Sequence, residues 1–282
     1  MKRCYKYMIR GFSIILLFLS VISSLAQTPE TLELVKREAQ LQSYFNMLYS
    51  DTLSDSGPLL EQILSLMSET LSMNGAMEYP WSKLDRIGVI QSDDQRLRIF
   101  TWHLRMDADH YRYFGFIQVN PKKDQIRVYE LTDNQQDQSG KKVLDQTVEN
   151  WNGKLYYSIV TNTYKRKTYY TLLGMDFNNT TSTIKTIETI TLLRNKPRFE
   201  KGLFFDGKSY LDRMVFQYSS QVSMSVRYDP GLKMITCDHL EPLHPIYKNN
   251  YEFYGPDGSF DGLEFRDGTW FYQIDIDARN RD

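Results

Sequence analysis

The spacing of apolar residues changes once along this chain, and that change limits the folds open to it. Up to about residue 73 they recur at helical intervals, whereas from about Leu84 onward they alternate with polar residues in short runs divided by polar turns. In residues 29–50, Leu34, Val35, Leu41, Phe45 and Leu48 follow the helical spacing, with acids early and Lys36 and Arg37 behind them. A second segment opens on Ser56, Gly57 and Pro58, carries Leu60, Ile63, Leu64, Met67 and Leu71 on one face, and closes at Gly75. The expectation is two antiparallel helices in an N-terminal helical segment, residues 27–78, packed by their apolar faces on the protein's own sheet.

The remainder, residues 79–282, reads as one β-rich domain. Strands are predicted at 96–105, 111–119, 125–131, 154–163, 168–176, 183–193, 213–217, 224–228, 233–237, 262–265 and 270–276. Parallel neighbours need crossovers of about a dozen residues, and most linkers here are shorter, so the strands should pair antiparallel. The predicted fold class is mainly β: an antiparallel meander forming a sandwich or partly closed barrel, with two N-terminal helices packed on it. Asn152-Gly153, Asp206-Gly207, Asp261-Gly262 and Asp267-Gly268 suggest propeller blades at first sight, but they recur without a period and read better as hairpin turns. The loop 132–142, rich in Gln, Asp and Ser, is the most variable-looking stretch, and Lys165-Arg166-Lys167 reads as a solvated hairpin tip.

Residues 1–26 read as a signal peptide. Lys2, Arg3, Lys6 and Arg10 precede an apolar run from Phe12 to Leu19, and Ser24-Leu25-Ala26 offers a small-x-small cleavage pattern before Gln27. The run from Gly11 to Ala26 falls short of the roughly 20 residues that span a bilayer, and no later stretch is long and apolar enough. Export is therefore expected, with no transmembrane segment in the mature chain. The whole chain has a formal net charge of -1, which offers no basic surface for phosphates, so nucleic acid is not an expected partner. Cleavage would remove Cys4 and leave Cys237 alone, without an internal disulfide and, on its strand, as a buried, inert thiol.

Two short clusters could carry chemistry. Asp238, His239, Glu241 and His244 crowd around the end of a strand beside Cys237, as weak catalytic or zinc-ligand candidates; His239 and Glu241 should share a face, and Pro242 ends the strand before His244. Asp257, Ser259 and Asp261, followed by Gly262, match the first half of a calcium loop, but Gly268 stands where the bidentate Glu belongs. A satisfied strand-end histidine and a tight Asp- and Gly-rich turn are the plainer readings. No cofactor is predicted, with calcium or zinc as the alternatives at these positions. Nucleophile elbows, phosphate loops and His-Glu-x-x-His are absent from the sequence. Twenty Tyr, fifteen Phe and four Trp, with adjacent tyrosines such as Tyr156-Tyr157 and Tyr169-Tyr170 forced onto opposite strand faces, suggest that some aromatics are exposed for contact with a glycan, peptide or protein.

The C-terminal third resembles a family of uncharacterised secreted proteins from bacteria of the Bacteroidota. The stretches that carry the resemblance are Lys-Met-Ile-Thr-Cys-Asp-His-Leu-Glu-Pro at 233–242, Tyr-Gly-Pro-Asp at 254–257, Phe-Asp-Gly at 260–262, Gly-Thr-Trp at 268–270 leading into 274–277, and Tyr-Tyr-Thr-Leu-Leu-Gly at 169–174. The resemblance implies a source and an export route and no activity. In that family the position of Cys237 is usually apolar or aromatic, which argues against a cysteine ligand. The functional expectation is an exported β-rich protein, periplasmic rather than extracellular, that acts as a non-enzymatic binding module for a protein, peptide or glycan of the cell envelope. The alternative is a metal-assisted hydrolase using Asp238, His239, Glu241 and His244.

Overall fold

The computed structural model describes residues 29–50, 55–107, 109–121, 125–134 and 146–277. The expected signal peptide and most of the 132–142 loop lie outside the described residues. No helix among them is long and apolar enough to cross a membrane.

Helix α1 (Pro29–Leu48) buries Leu34, Leu41, Phe45 and Leu48, the face its spacing predicts, and also Glu38. That carboxylate accepts hydrogen bonds from the Tyr79 hydroxyl at 2.6 Å and the Lys83 amide at 2.8 Å, so it tethers the segment leading out of the helices. Helix α2 (Gly57–Leu71) starts with Pro58 in its first turn, where the missing N–H costs nothing, and buries Leu59, Leu60, Ile63, Met67 and Leu71. Both helices pack on a first sheet, a four-stranded antiparallel meander of β1 (Gly88–Gln91), β2 (Leu97–Arg105), β3 (Tyr111–Val119) and β4 (Arg127–Thr132). Trp102 is the centre of that contact: Phe45 meets its ring edge-on at 5.4 Å, and Phe114 stacks on it at 5.7 Å.

The first sheet is covered on both faces. Phe100, Trp102 and Leu104 of β2 point to the helices, while Leu97 and Ile99 point the other way into a second core shared with Tyr156, Tyr170, Leu172 and Ile190. The second sheet has the order β11-β7-β6-β5, from β5 (Leu155–Tyr164), β6 (Lys167–Asp176), β7 (Ser182–Leu193) and β11 (Arg213–Ser219). Strand β8 (Lys196–Phe199) pairs with the last residues of β7, on the same edge that β11 occupies further back. The second sheet buries its opposite face, through Val160, Leu173, Ile187 and Met214, against Phe204, Ile235, Cys237, Leu263 and Trp270 of a third sheet. The third sheet is built from β9 (Phe204–Phe205), β10 (Tyr210–Leu211), β12 (Val226–Asp229), β13 (Met234–Pro242), β14 (Tyr254–Arg266) and β15 (Thr269–Gln273), in the order β10-β9-β15-β14-β13-β12. The layers are thus helices, first sheet, second sheet and third sheet.

The expected mainly β, antiparallel fold with two helices on it is what the chain adopts. Only the first sheet is a plain meander, because the chain leaves the second sheet after β8, lays β9 parallel to β15 in the third, and returns with β11. Asp267 and Gly268 do turn a hairpin, both with positive φ (50° and 86°), as do Lys165 and Arg166 (46° and 65°). Asp261-Gly262 does not: it lies inside β14.

Between the first and second sheets a charged group is sealed in. The Lys154 ammonium lies 2.9 Å from Glu188 Oε1, the Tyr156 hydroxyl donates to the same oxygen, and Trp151 Nε1 donates to Tyr156 at 2.9 Å. Burial pushes the Glu188 carboxyl up, but Lys154 and Arg213 outweigh it and hold the group below the usual carboxylate range.

Candidate functional site

Strands β13 and β14 run together from Met234/Glu264 to Pro242/Tyr254, and their register slips between Asp238 and Leu240. The slip sets His239 alone opposite three residues of β14, 257–259, where Gly258 has a φ of 95°. Asp261 pairs with Cys237, two residues before His239, so strand alternation puts the imidazole and the Asp261 carboxylate on one face. His239 Nδ1 lies 2.7 Å from Asp261 Oδ2, and its Nε2 faces outward, 3.4 Å from Glu241 Oε1.

Asp261 is the fixed point of the group. Its side chain is 2% exposed; Oδ2 also accepts the Tyr272 hydroxyl, and Oδ1 accepts the Asp275 amide at 3.1 Å. With Asp261 accepting at Nδ1, the imidazole carries a proton there, and its outward Nε2, beside Glu241, is the nitrogen that exchanges a proton with solvent or a ligand. Burial pulls the His239 pKa down, but the hydrogen bond and charge of Asp261, helped by Glu241 and Asp257, outweigh it and the net shift is upward from 6.5. Burial, then Asp261, pushes the Tyr272 phenol well above its ordinary value, so it stays neutral and donates its hydrogen bond to Asp261.

The structure joins one member of the calcium candidate set to the histidine cluster and disperses the rest. Asp238 turns away and caps the Ser225 amide at 2.7 Å, and His244 accepts from the Ile246 amide at 3.3 Å at the start of a short turn. The set Asp238, His239, Glu241 and His244 therefore does not converge: Asp238 lies on the opposite strand face from His239, and β13 ends at Pro242, before His244. The stretch from Asp257 to Asp261 makes a local turn, with the Ser259 amide on Asp257 Oδ1 and Gly258 at a φ of 95°. It is part of β14, with Asp257 engaged by the Ser259 amide and hydroxyl while Asp261 faces inward to His239. Pro256 and the glycines around it read as turn residues, yet they fall where the ladder is already irregular and tolerates them. Among the described residues no group of three or more His, Cys, Asp or Glu side chains is arranged to hold a metal ion. Cys237 is 1% exposed, and burial, with Asp261 and Asp238 nearby, pushes its thiol far above the ordinary value.

Past Glu241 the chain makes a loop of a different kind, whose second turn lies against β11 and β7. Residues 243–253 form a closed loop, its ends joined by the Leu243 amide on the Phe253 carbonyl at 2.9 Å, with two short 3-10 turns between. Tyr247 and Phe253 stack at 4.2 Å with their rings 14° from parallel. Around that clasp Leu243, Ile246 and Tyr251 stand in solvent, 59%, 77% and 50% exposed. Eleven ordered residues that expose this much apolar surface while stacking their aromatics on one another form a crest. Sequence reasoning missed it, although Leu-His-Pro-Ile-Tyr at 243–247, apolar residues in a loop, was the available signal.

The predicted aromatic sheet face is mostly inside. Tyr156, Tyr169 and Tyr170 are buried between layers, whereas Tyr157 is 41% exposed, as expected of one member of its pair; on the third sheet the exposed Tyr210 stands in one cross-strand row with the half-buried Phe205 and Phe271. Their rings are tilted by 45° and 64° from one another, so they make no flat platform.

No protein-family model matches this chain, and neither does any curated protein or solved structure.

Proposed function

We propose that the protein is an exported, non-enzymatic binding module of the bacterial cell envelope, periplasmic in place, that grips a protein or peptide partner with the crest at residues 243–253. The observation that carries this reading is the exposure of Leu243, Ile246 and Tyr251 on a loop whose own hydrogen bonds and ring stack hold it in shape. Water gains from the covering of such a patch, and a preordered loop loses little entropy on docking. Leu243 and Ile246 set aliphatic surface beside the exposed rings of Tyr251 and Phe253, a mixture that suits the side chains of a peptide. Export rests on the charged, apolar and small-x-small pattern of residues 1–26 and on the resemblance to secreted Bacteroidota proteins.

The test is retention of purified residues 27–282 on envelope fractions, beside a Leu243→Ser/Ile246→Ser/Tyr251→Ser variant. Retention that is lost in the variant and lost when the envelope is first treated with protease supports the reading. Equal retention of both proteins, or retention of neither, overturns it.

The Asp261–His239 hydrogen bond favours a second reading, hydrolysis with His239 as general base and its outward Nε2 facing the reaction. Of the four residues expected for a metal-assisted hydrolase, only His239 and Glu241 remain together. Ester hydrolysis that is lost in His239→Gln, with or without added zinc or calcium, would support it; the same rate in both proteins would remove it.

A further inference from the structure

The net charge of the chain conceals where its charges lie. Without the four basic residues of the expected signal peptide, 30 Lys and Arg stand against 35 Asp and Glu, yet one end of the molecule is basic. Three hairpins turn at that end: β5 to β6 at Lys165-Arg166, β7 to β8 at Arg194-Asn195, and β14 to β15 at Asp267-Gly268. The first two share an end because β6 and β7 pair antiparallel with Tyr170 opposite Ile190. The third lies against the first, since a Cβ on Gly268 would come within 2.9 Å of the Tyr164 ring. We propose that this end docks on an anionic phospholipid surface, with the crest held away from it.

The first turn carries Lys165, Arg166 and Lys167, the second Arg194, Lys196 and Arg198, and the third Arg266, all exposed. The four acids among them are already engaged. Glu200 takes both Lys167 at 3.1 Å and Arg198 at 3.5 Å, Glu149 takes Lys196 at 2.9 Å, Glu264 takes Arg266 at 3.4 Å, and Asp267 lies within charge range of Lys165. The cations thus exceed the acids by three, and Arg166 and Arg194 have no ion pair among the described residues. The turns nearby leave that excess unchanged. Asp93 and Asp94, the latter bonded to the Tyr170 hydroxyl, stand against Arg96 and Arg127; Asp212, bonded to the Gly202 amide, stands against Lys201; and Asp229 stands against Lys233.

The partner class follows from the shape and composition of this end. Two-residue turns on two sheets present the cations as separate points that do not close round one small anion, but that match a plane of many phosphates. Among them Leu193, next to Arg194, is 55% exposed, and the half-buried Tyr164 ring lies 5.0 Å from Lys165 Nζ. Apolar groups set among cations suit the headgroup layer of a membrane, which receives both. An acidic polypeptide would answer the cations alone. Strand β14 begins at Tyr254, where the crest closes, and ends at Arg266. Its 13 residues, up to roughly 40 Å of extended chain, set the crest away from a membrane bound at the turns.

The test is sedimentation of residues 27–282 with vesicles of phosphatidylglycerol and phosphatidylethanolamine, beside vesicles of phosphatidylcholine alone. Binding to the anionic vesicles is expected at about 50 mM salt, with release at about 0.5 M. Arg166→Glu with Arg194→Glu should keep the thermal melt and weaken binding at least about tenfold; Arg166→Gln with Arg194→Gln, a milder change, should weaken it in the same direction. Lys208→Glu with Lys248→Glu, an equal change of charge elsewhere, and Leu243→Ser/Ile246→Ser/Tyr251→Ser should bind as the native protein does. The four native tryptophans are buried, so Leu193→Trp adds one that brominated lipid should quench. No binding to anionic vesicles, equal binding of the two charge-reversed variants, an unquenched Leu193→Trp, or capture by poly-glutamate beads without binding to vesicles overturns the assignment. Vesicles hold no protein, so failure here leaves the crest reading standing. Retention by the crest on envelope fractions is read in about 0.5 M salt, where the attachment at the turns is released.

Discussion

Lys154 and Glu188 form an ion pair that neither partner shares with solvent: Nζ and Oε1 are 2.9 Å apart, and the side chains are 4% and 3% exposed. A buried pair stabilises little against an apolar pair of the same size, but a survivor left alone is costly. Glu188→Ala should lower stability by about 3–5 kcal/mol, and Lys154→Met combined with Glu188→Leu should cost less than Glu188→Ala alone. Urea denaturation midpoints of the three proteins would check this; a double variant as weak as the single one would contradict it.

His239 makes stability depend on pH in a stated direction. Its pKa in the folded protein is raised above 6.5, so the folded state holds the proton more tightly than the unfolded chain. The stabilisation from its contact with Asp261 is fully present below about 6.5 and is lost as the pH rises through the folded value. Relative to His239→Gln, the native protein should therefore have its greatest advantage in urea midpoint in mild acid and lose it in mild alkali. A constant difference across that range would refute the linkage.

The crest and the core should respond oppositely to substitution. Ile246→Ser changes a side chain that is 77% exposed and should alter stability by less than about 0.5 kcal/mol. Trp270→Ala removes a ring that is fully buried between the second and third sheets and should cost about 3–5 kcal/mol, with the loss of its hydrogen bond to Thr171 included. Thermal melts of both variants separate surface from frame.

Cys237 should react with a thiol reagent only as fast as the fold opens. The thiol is buried and its pKa is raised by that burial. Labelling by Ellman's reagent should be slow in buffer and immediate in denaturant; rapid labelling of the folded protein would mean that the third sheet opens at that point.

How much of this was legible in the sequence depends on where the information lies. The helices were, since Leu34, Leu41 and Phe45, and Ile63, Met67 and Leu71, are faces set by local spacing. The long strands were too, because alternation is local. Strands β8 and β9 were not, as a few residues carry no period and owe their pairing to β7 and β15 far along the chain. In the site, His239 and Glu241 could be placed on one face from their spacing, but Asp261 and Tyr272 join them only through the pairing of β13, β14 and β15. Glu188 carried a clue in its own surroundings, an acid inside Thr-Ile-Glu-Thr-Ile-Thr, although nothing local names Lys154 as its partner.

Residues 204–211 act as a stitch between two sheets. The chain passes from β8 into the third sheet and back to β11 on the edge of β7, so neither sheet is complete until the other has received its strands. Strand β9 must wait for β15, near the end of the described chain, before its parallel ladder can close. Contacts of such long sequence separation form slowly, and the two sheets should be gained and lost together in one cooperative transition. A protease cut at Gly207 or Lys208 would sever that stitch and loosen both layers at once.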